Sequence, residues 1–210
     1  MTSLDYVRDG AAIYAASFAT IRREVDLASV TPDLESVVVR MIHACGDVDI
    51  VRLVEASPDL VPAARAALAA GRPIWCDANM VAYGITRARL PGDNPVRCSL
   101  QDEGIAQDAL AAGNTRSAVA VDRWLADLDG AVAVIGNAPT ALFRLLELVM
   151  DGVAKPAAII GIPVGFIGAA ESKLALATLP HGIPYLTVHG RRGGSAMAAG
   201  ALNALASTTE

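Results

Sequence analysis

Five short apolar runs, residues 74–76, 96–100, 131–135, 157–160 and 185–188, recur through the last two thirds of the chain. Segments long enough for helices separate them. Strands covered on both faces read as continuous apolar runs, and parallel neighbours need crossovers of a dozen or more residues. Residues 115–128, 140–150, 169–179 and 195–205 supply such crossovers. The pattern predicts an α/β fold, a three-layer α/β/α arrangement with a parallel sheet of about five strands. With no linker-like break and no internal repeat, residues 1–210 are expected to form a single domain.

The first third reads as helical. After Asp9-Gly10, the residues Ile13, Tyr14, Phe18, Ile21 and Val25 recur at helical spacing. A second helix is expected to open at Thr31-Pro32-Asp33, where a capping hydroxyl precedes a proline and an acid, and to stop at Gly46. A third is expected between Ser57-Pro58 and Gly71. A net charge of −5 and the lack of a basic run interleaved with aromatics argue against nucleic acid. The longest apolar run, AAIIGIPVGFIGAA, falls short of the roughly 20 residues that span a bilayer, and the N-terminus has no apolar signal core. A cytoplasmic protein without a membrane partner is expected. Cys45, Cys76 and Cys98 lie far apart without a C-x-x-C pair, which suggests free buried thiols and no metal.

In open α/β sheets, ligands bind beyond the carboxyl ends of the strands. That rule selects Asp77 and Asn79, Asn137 and Thr140, Pro163 to Gly168, and His189 to Ser195 as one rim. In the second helix, Leu34, Val37, Val38, Met41, Ile42 and Cys45 fall on one stripe, and His43 points away from it together with Arg40 and Ser36. On a helix, side chains two apart do not face each other, so a Cys45 nucleophile with His43 as its base is disfavoured. An ordinary surface histidine or a proton donor remains. The helix C-terminus favours imidazolium and Arg40 opposes it, a balance suited to a donor near neutral pH; Asp47 and Asp49 are candidate partners.

Two glycine-rich pieces, GIPVGFIG and GRRGGS, sit between a strand and a helix. They fit neither the dinucleotide fingerprint nor the P-loop, and read either as anion-binding helix starts or as tight turns. Arginine outnumbers lysine, with Arg22, Arg40, Arg87, Arg89, Arg116, Arg191 and Arg192 near predicted helix ends or loops. Convergence of several on one cleft would point to a polycarboxylate ligand.

Seven stretches, in order and almost end to end, resemble the precorrin-8X methylmutases of cobalamin biosynthesis: SFATIRRE from Ser17, RMIHACGD from Arg40, PIWCDANMVAYGI from Pro73, NTRSA from Asn114, GNAPTALFRLLEL from Gly136, KPAAIIGIPVGFIGAAESK from Lys155 and PYLTVHGRRGGSAMAAGALNAL from Pro184. The resemblance implies an isomerase that moves a methyl group from C-11 to C-12 of precorrin-8X, a tetrapyrrole, to give hydrogenobyrinic acid. An anaerobic counterpart acts on the cobalt form. It further implies a homodimer with clefts near the subunit interface and no metal or nucleotide cofactor. The histidine of the R-x-x-H-x-x-G-D pattern, here His43, is then the proton donor and acceptor, and Ser17 and Arg40 match substrate-contacting positions. Thr20, Thr86, Arg116, Gly165 and Arg191 are expected to complete the substrate site. Contact with neighbouring pathway enzymes would fit such a role. Two alternatives stay open: an NAD(P)-binding Rossmann-like oxidoreductase using GIPVGFIG, and a non-catalytic corrinoid carrier.

Overall fold

The computed structural model describes residues 4–207, so the ends of the expected 1–210 unit lie outside the described residues. The element order is α1 (Gly10–Glu24), α2 (Glu35–Cys45), β1 (Val54–Ala56), α3 (Leu60–Ala69), β2 (Ile74–Cys76), α4 (Asn79–Gly84), β3 (Val96–Arg97), α5 (Ile105–Ala111), α6 (Arg116–Asp122), β4 (Val132–Ile135), α7 (Pro139–Met150), β5 (Ala158–Gly161), α8 (Ala169–Thr178), β6 (Tyr185–Val188) and α9 (Ser195–Ala206). Asp9 caps α1 by accepting from the amides of Ala11 and Ala12, and Gly46 ends α2 in a left-handed conformation. Thr31 does not cap α2. Its hydroxyl donates to Asp33 instead, and a turn precedes the helix. Ser57 likewise serves the sheet, accepting from the Tyr185 amide at 3.0 Å.

The sheet has six strands in the order β1-β6-β5-β4-β2-β3, all pairings parallel except β1 with β6. The antiparallel edge strand β1 was not expected, because three half-buried residues, Val-Glu-Ala, carry no period. It is held by side chains: Glu55 accepts from the Tyr185 hydroxyl and pairs with His189, and these two hydrogen bonds keep its carboxyl below the usual range. β3 is shorter than expected and covers two residues.

Alternation along the strands divides the core. Val132, Val134, Ala158 and Ile160 face a layer built from α2, α3, α4 and α9, while Ala133, Ile135 and Ile159 face α7 and the end of α6. Phe18 and Ile21 of α1, with Val25 just after it, close the first layer from outside. Among the described residues no helix is long and apolar enough to cross a membrane.

Strand order reverses between β2 and β4, where a ligand crevice is usual in such sheets. Here the crevice is sewn shut. The buried Asp77 carboxylate accepts from the amides of Gly136, Asn137 and Ala138 at 2.9, 3.0 and 2.6 Å. A side chain at Gly136 would come within 2.9 Å of Ala198 Cβ and Ser195 Cα. Asp77 therefore belongs to the scaffold rather than to the expected rim, whereas Asn137 gives Asp77 only its backbone amide and keeps its side chain exposed. Asp77→Ala should leave these amides without their acceptor, at a cost of about 1–3 kcal/mol for each one left unpaired. Urea unfolding is expected to show a midpoint lowered by at least about 2 kcal/mol of stability with an unchanged slope; an unaltered midpoint would refute the scaffold role.

Candidate active site

The seam between α1 and α2 holds the histidine. Ser17 Oγ lies 2.8 Å from His43 Nδ1, and this one hydrogen bond fixes the ring's orientation. Tyr14 and Phe18, one helical turn apart on α1, pack their rings 5.0 and 5.1 Å from the imidazole. The Arg40 guanidinium, on the same face of α2, donates to the Tyr14 hydroxyl at 3.1 Å and lies over the Phe18 ring. Burial first, and Arg40 second, hold the His43 imidazolium below its ordinary range, so the ring is neutral at pH 7. The expected balance thus falls against the imidazolium.

Two cavities flank this seam. The larger, about 880 Å³, is lined on α1 by Tyr14, Phe18 and Arg22 and opposite by Thr86 and Arg89. Its size lies near the upper end of the roughly 300–1,000 Å³ usual for small-molecule sites. The smaller, about 330 Å³, opens beyond the carboxyl ends of β5 and β6, between Cys45, Asp47, Gly165, Phe166, Arg191 and Arg192. The two glycine loops are stitched together there: the Gly165 amide donates to the Arg191 carbonyl at 3.2 Å and the Gly194 amide to the Ile162 carbonyl at 2.9 Å. At Gly193 a Cβ would meet the carbonyl oxygens of Ile162 and Pro163 at 2.5 and 2.7 Å, so the close approach requires glycine.

The expected residues separate into groups. Ser17 meets His43 directly, Arg40 acts on it through its charge from across the Tyr14 and Phe18 rings, Thr86 borders the larger cavity, and Gly165 and Arg191 border the smaller one. Thr20, one turn after Ser17, accepts from Arg23 and lines neither cavity. Arg116 is exposed at the start of α6, near the Thr115–Thr140 hydroxyl contact, and one chain does not bring it to either cavity. The expectation that Cys45 belongs to the buried stripe is overturned. Residues Val37 to Ile42 are buried all round because α2 runs between α1 and α9, whereas the last turn emerges and leaves Cys45 exposed. Burial follows position along this helix, not phase. Asp47 serves Arg192 at 3.1 Å and caps the turn after α2, so it is no partner of His43. Among the described residues no three His, Cys, Asp or Glu side chains gather as a cation site requires.

The model of the precorrin-8X methylmutase family matches residues 12–208. This chain belongs to the precorrin-8X methylmutase family. It is 58% identical over 207 residues to the precorrin-8X methylmutase of Pseudomonas aeruginosa, which covers 99% of this chain and 100% of that protein. It is 34% identical to the cobalt-precorrin-8 methylmutase of Priestia megaterium, over 92% of this chain and 85% of that one. The crystal structure of precorrin-8X methylmutase from Thermus thermophilus superposes with a TM-score of 0.85 at 38% identity, covering 94% of this chain and 95% of that chain.

For a methylmutase, the aromatic wall is the part of the site that periodicity conceals. Tyr14 and Phe18 read as one stripe of a surface helix, although Tyr14 remains exposed at the cavity. Arg40→Met should remove one of the two causes that depress His43. Its titration midpoint, followed by NMR of the ring Cε1–H, is expected to rise, since a neighbouring cation disfavours the imidazolium; no movement would leave burial as the sole cause.

Proposed function

We propose that the chain converts precorrin-8X to hydrogenobyrinic acid by moving a methyl group from C-11 to C-12, with His43 lending a proton to the macrocycle and taking one back. The C-11 to methyl bond breaks as the C-12 to methyl bond forms, and the composition of the ring is unchanged. Such a migration needs little covalent help from protein, so a fixed ring and one placed proton provide most of the catalysis. The observation that carries this reading is the His43 ring, oriented by Ser17 and walled by Tyr14 and Phe18 beside the larger cavity. A substrate carboxylate near Arg40 would offset the charge that depresses His43, so that the ring gains its proton when the substrate is bound.

The charges suit a polycarboxylate. Arg22 and Arg89 border the larger cavity, Arg191 and Arg192 the smaller, and backbone at Gly165 allows close approach. The relatives at 58% and 57% identity are precorrin-8X methylmutases, whereas the Priestia megaterium protein at 34% acts, by its name, on the cobalt form; the likeness favours the metal-free ring. Residues 1–210 act as one methylmutase domain in the cytoplasm, with handover contacts to neighbouring pathway enzymes.

We further propose a homodimer. Met80 and Tyr83, beside Thr86, and Phe166 and Ile167, beside the smaller cavity, are large and exposed, as a surface awaiting a second copy would be. Arg116 then reaches ring carboxylates from the partner subunit, and Thr20 contacts the ring at the same interface. His43→Ala should abolish turnover of precorrin-8X, read from the absorbance change as conjugation shifts, while hydrogenobyrinic acid still binds; a near-normal rate would sink the role. Mixing inactive His43→Ala with impaired Arg116→Ala chains should restore up to about a quarter of wild-type activity through mixed dimers. No recovery would place Arg116 within its own subunit's site or outside both.

A further inference from the structure

Lys173 is fully buried on α8, one of the chain's two lysines, the other being the exposed Lys155. Its Nζ donates to the Arg192 carbonyl at 2.6 Å, and no carboxylate pairs with it among the described residues. A buried ammonium without an opposing charge is costly, and an anion brought close to it would lower that cost. The peptide it grips is the arginine loop. The Arg191 carbonyl is tied to the Gly165 amide and the Arg192 carbonyl to Lys173, so successive peptides of the loop are anchored from behind while both arginines line the smaller cavity.

The charge count around this loop is uneven. Arg192 is offset by Asp47, Arg191 lies over the Phe166 ring, and Lys173 stands behind them, so that among the described residues Arg191 and Lys173 have no ion-pair partner. Of the titratable groups on the neighbouring elements, Arg144 on α7 pairs with Asp122 and Glu147, Tyr185 and His189 at β6 bond to Glu55, and His181 bonds to the Leu176 carbonyl at the end of α8, while Glu171, two residues before Lys173, is exposed and does not pair with it. Resting on the function proposed above, we propose that Lys173 is the positioning residue of the arginine loop, and that its buried ammonium is balanced by a ring carboxylate bound in the smaller cavity.

Burial alone pulls the Lys173 ammonium down to about 8. An anion binds the charged form better, so the bound ligand raises the midpoint and one proton is taken up near that pH; affinity falls as pH rises through the same range. With two lysines in the chain, selective 13C and 15N labelling resolves both side chains. In wild-type protein saturated with hydrogenobyrinic acid, the Lys173 midpoint is expected to rise by about one pH unit while Lys155 stays fixed. Lys173→Met, if its melting temperature shows a folded protein, should bind the product about tenfold more weakly. That loss should shrink above pH 8, where the wild-type charge is disappearing. A Lys173 midpoint unmoved at saturation overturns the proposal and leaves the methylmutase reading intact. Failure of wild-type protein to bind hydrogenobyrinic acid overturns both.

Discussion

The contact between α2 and α9 is the constraint on which the rest rests. The α9 sequence SAMAAGALNALA is almost wholly buried, and its small residues let two helix backbones approach closely. A Cβ at Gly200 would already stand 3.3 Å from Ala44 Cβ and 3.4 Å from the Arg40 carbonyl. At that spacing α2 cannot slide or rotate without a clash in a close-packed interior. Because Arg40 and His43 ride on α2, their placement against α1 follows from its packing on α9. The same α9 fills the crevice beside Gly136, which explains why the switch point of the sheet is solid.

Closing that crevice moves the chemistry outward. Asp77 and the small residues of α9 occupy the position where many α/β proteins bind ligands, and the cavities open instead along α1 and beyond β5 and β6. A large flat ring needs such an elongated, shallow setting more than a deep crevice. Its many carboxylates need cations spread along an edge, as Arg22, Arg89 and Arg191 are, rather than clustered at one helix start. His43 stands against the apolar rings with Arg40 nearby, and burial and that cation both hold its imidazolium below the ordinary range.

The glycine loops and the caps were legible because each rests on local backbone chemistry. Gly46 and Gly71 end their helices in the left-handed region, as their positions after apolar runs implied. The strands beginning at Ile74, Val132 and Ala158 were legible because continuous apolar runs have few other uses. The edge strand β1 was not, since its pairing depends on Glu55 meeting Tyr185 and His189, partners 130 and 134 residues away. Cys45 was misplaced for a related reason. Helical phase distinguishes faces only when one face is wet, and α2 lies between two other helices for most of its length.

The sequence by itself determined the layered architecture and the family, and it singled out His43, Ser17 and Arg40 as candidates. Periodicity, turn chemistry and an ordered set of motifs are properties of short stretches and survive being read in one dimension. The tertiary structure decided what those residues face. That Ser17 meets His43 across 26 positions, that Asp77 is a clamp, and that Lys173 grips the arginine loop 19 positions away depend on long-range packing. Hydrogen bonds of that kind are set by which backbones come close, and no local pattern encodes the distance between two elements.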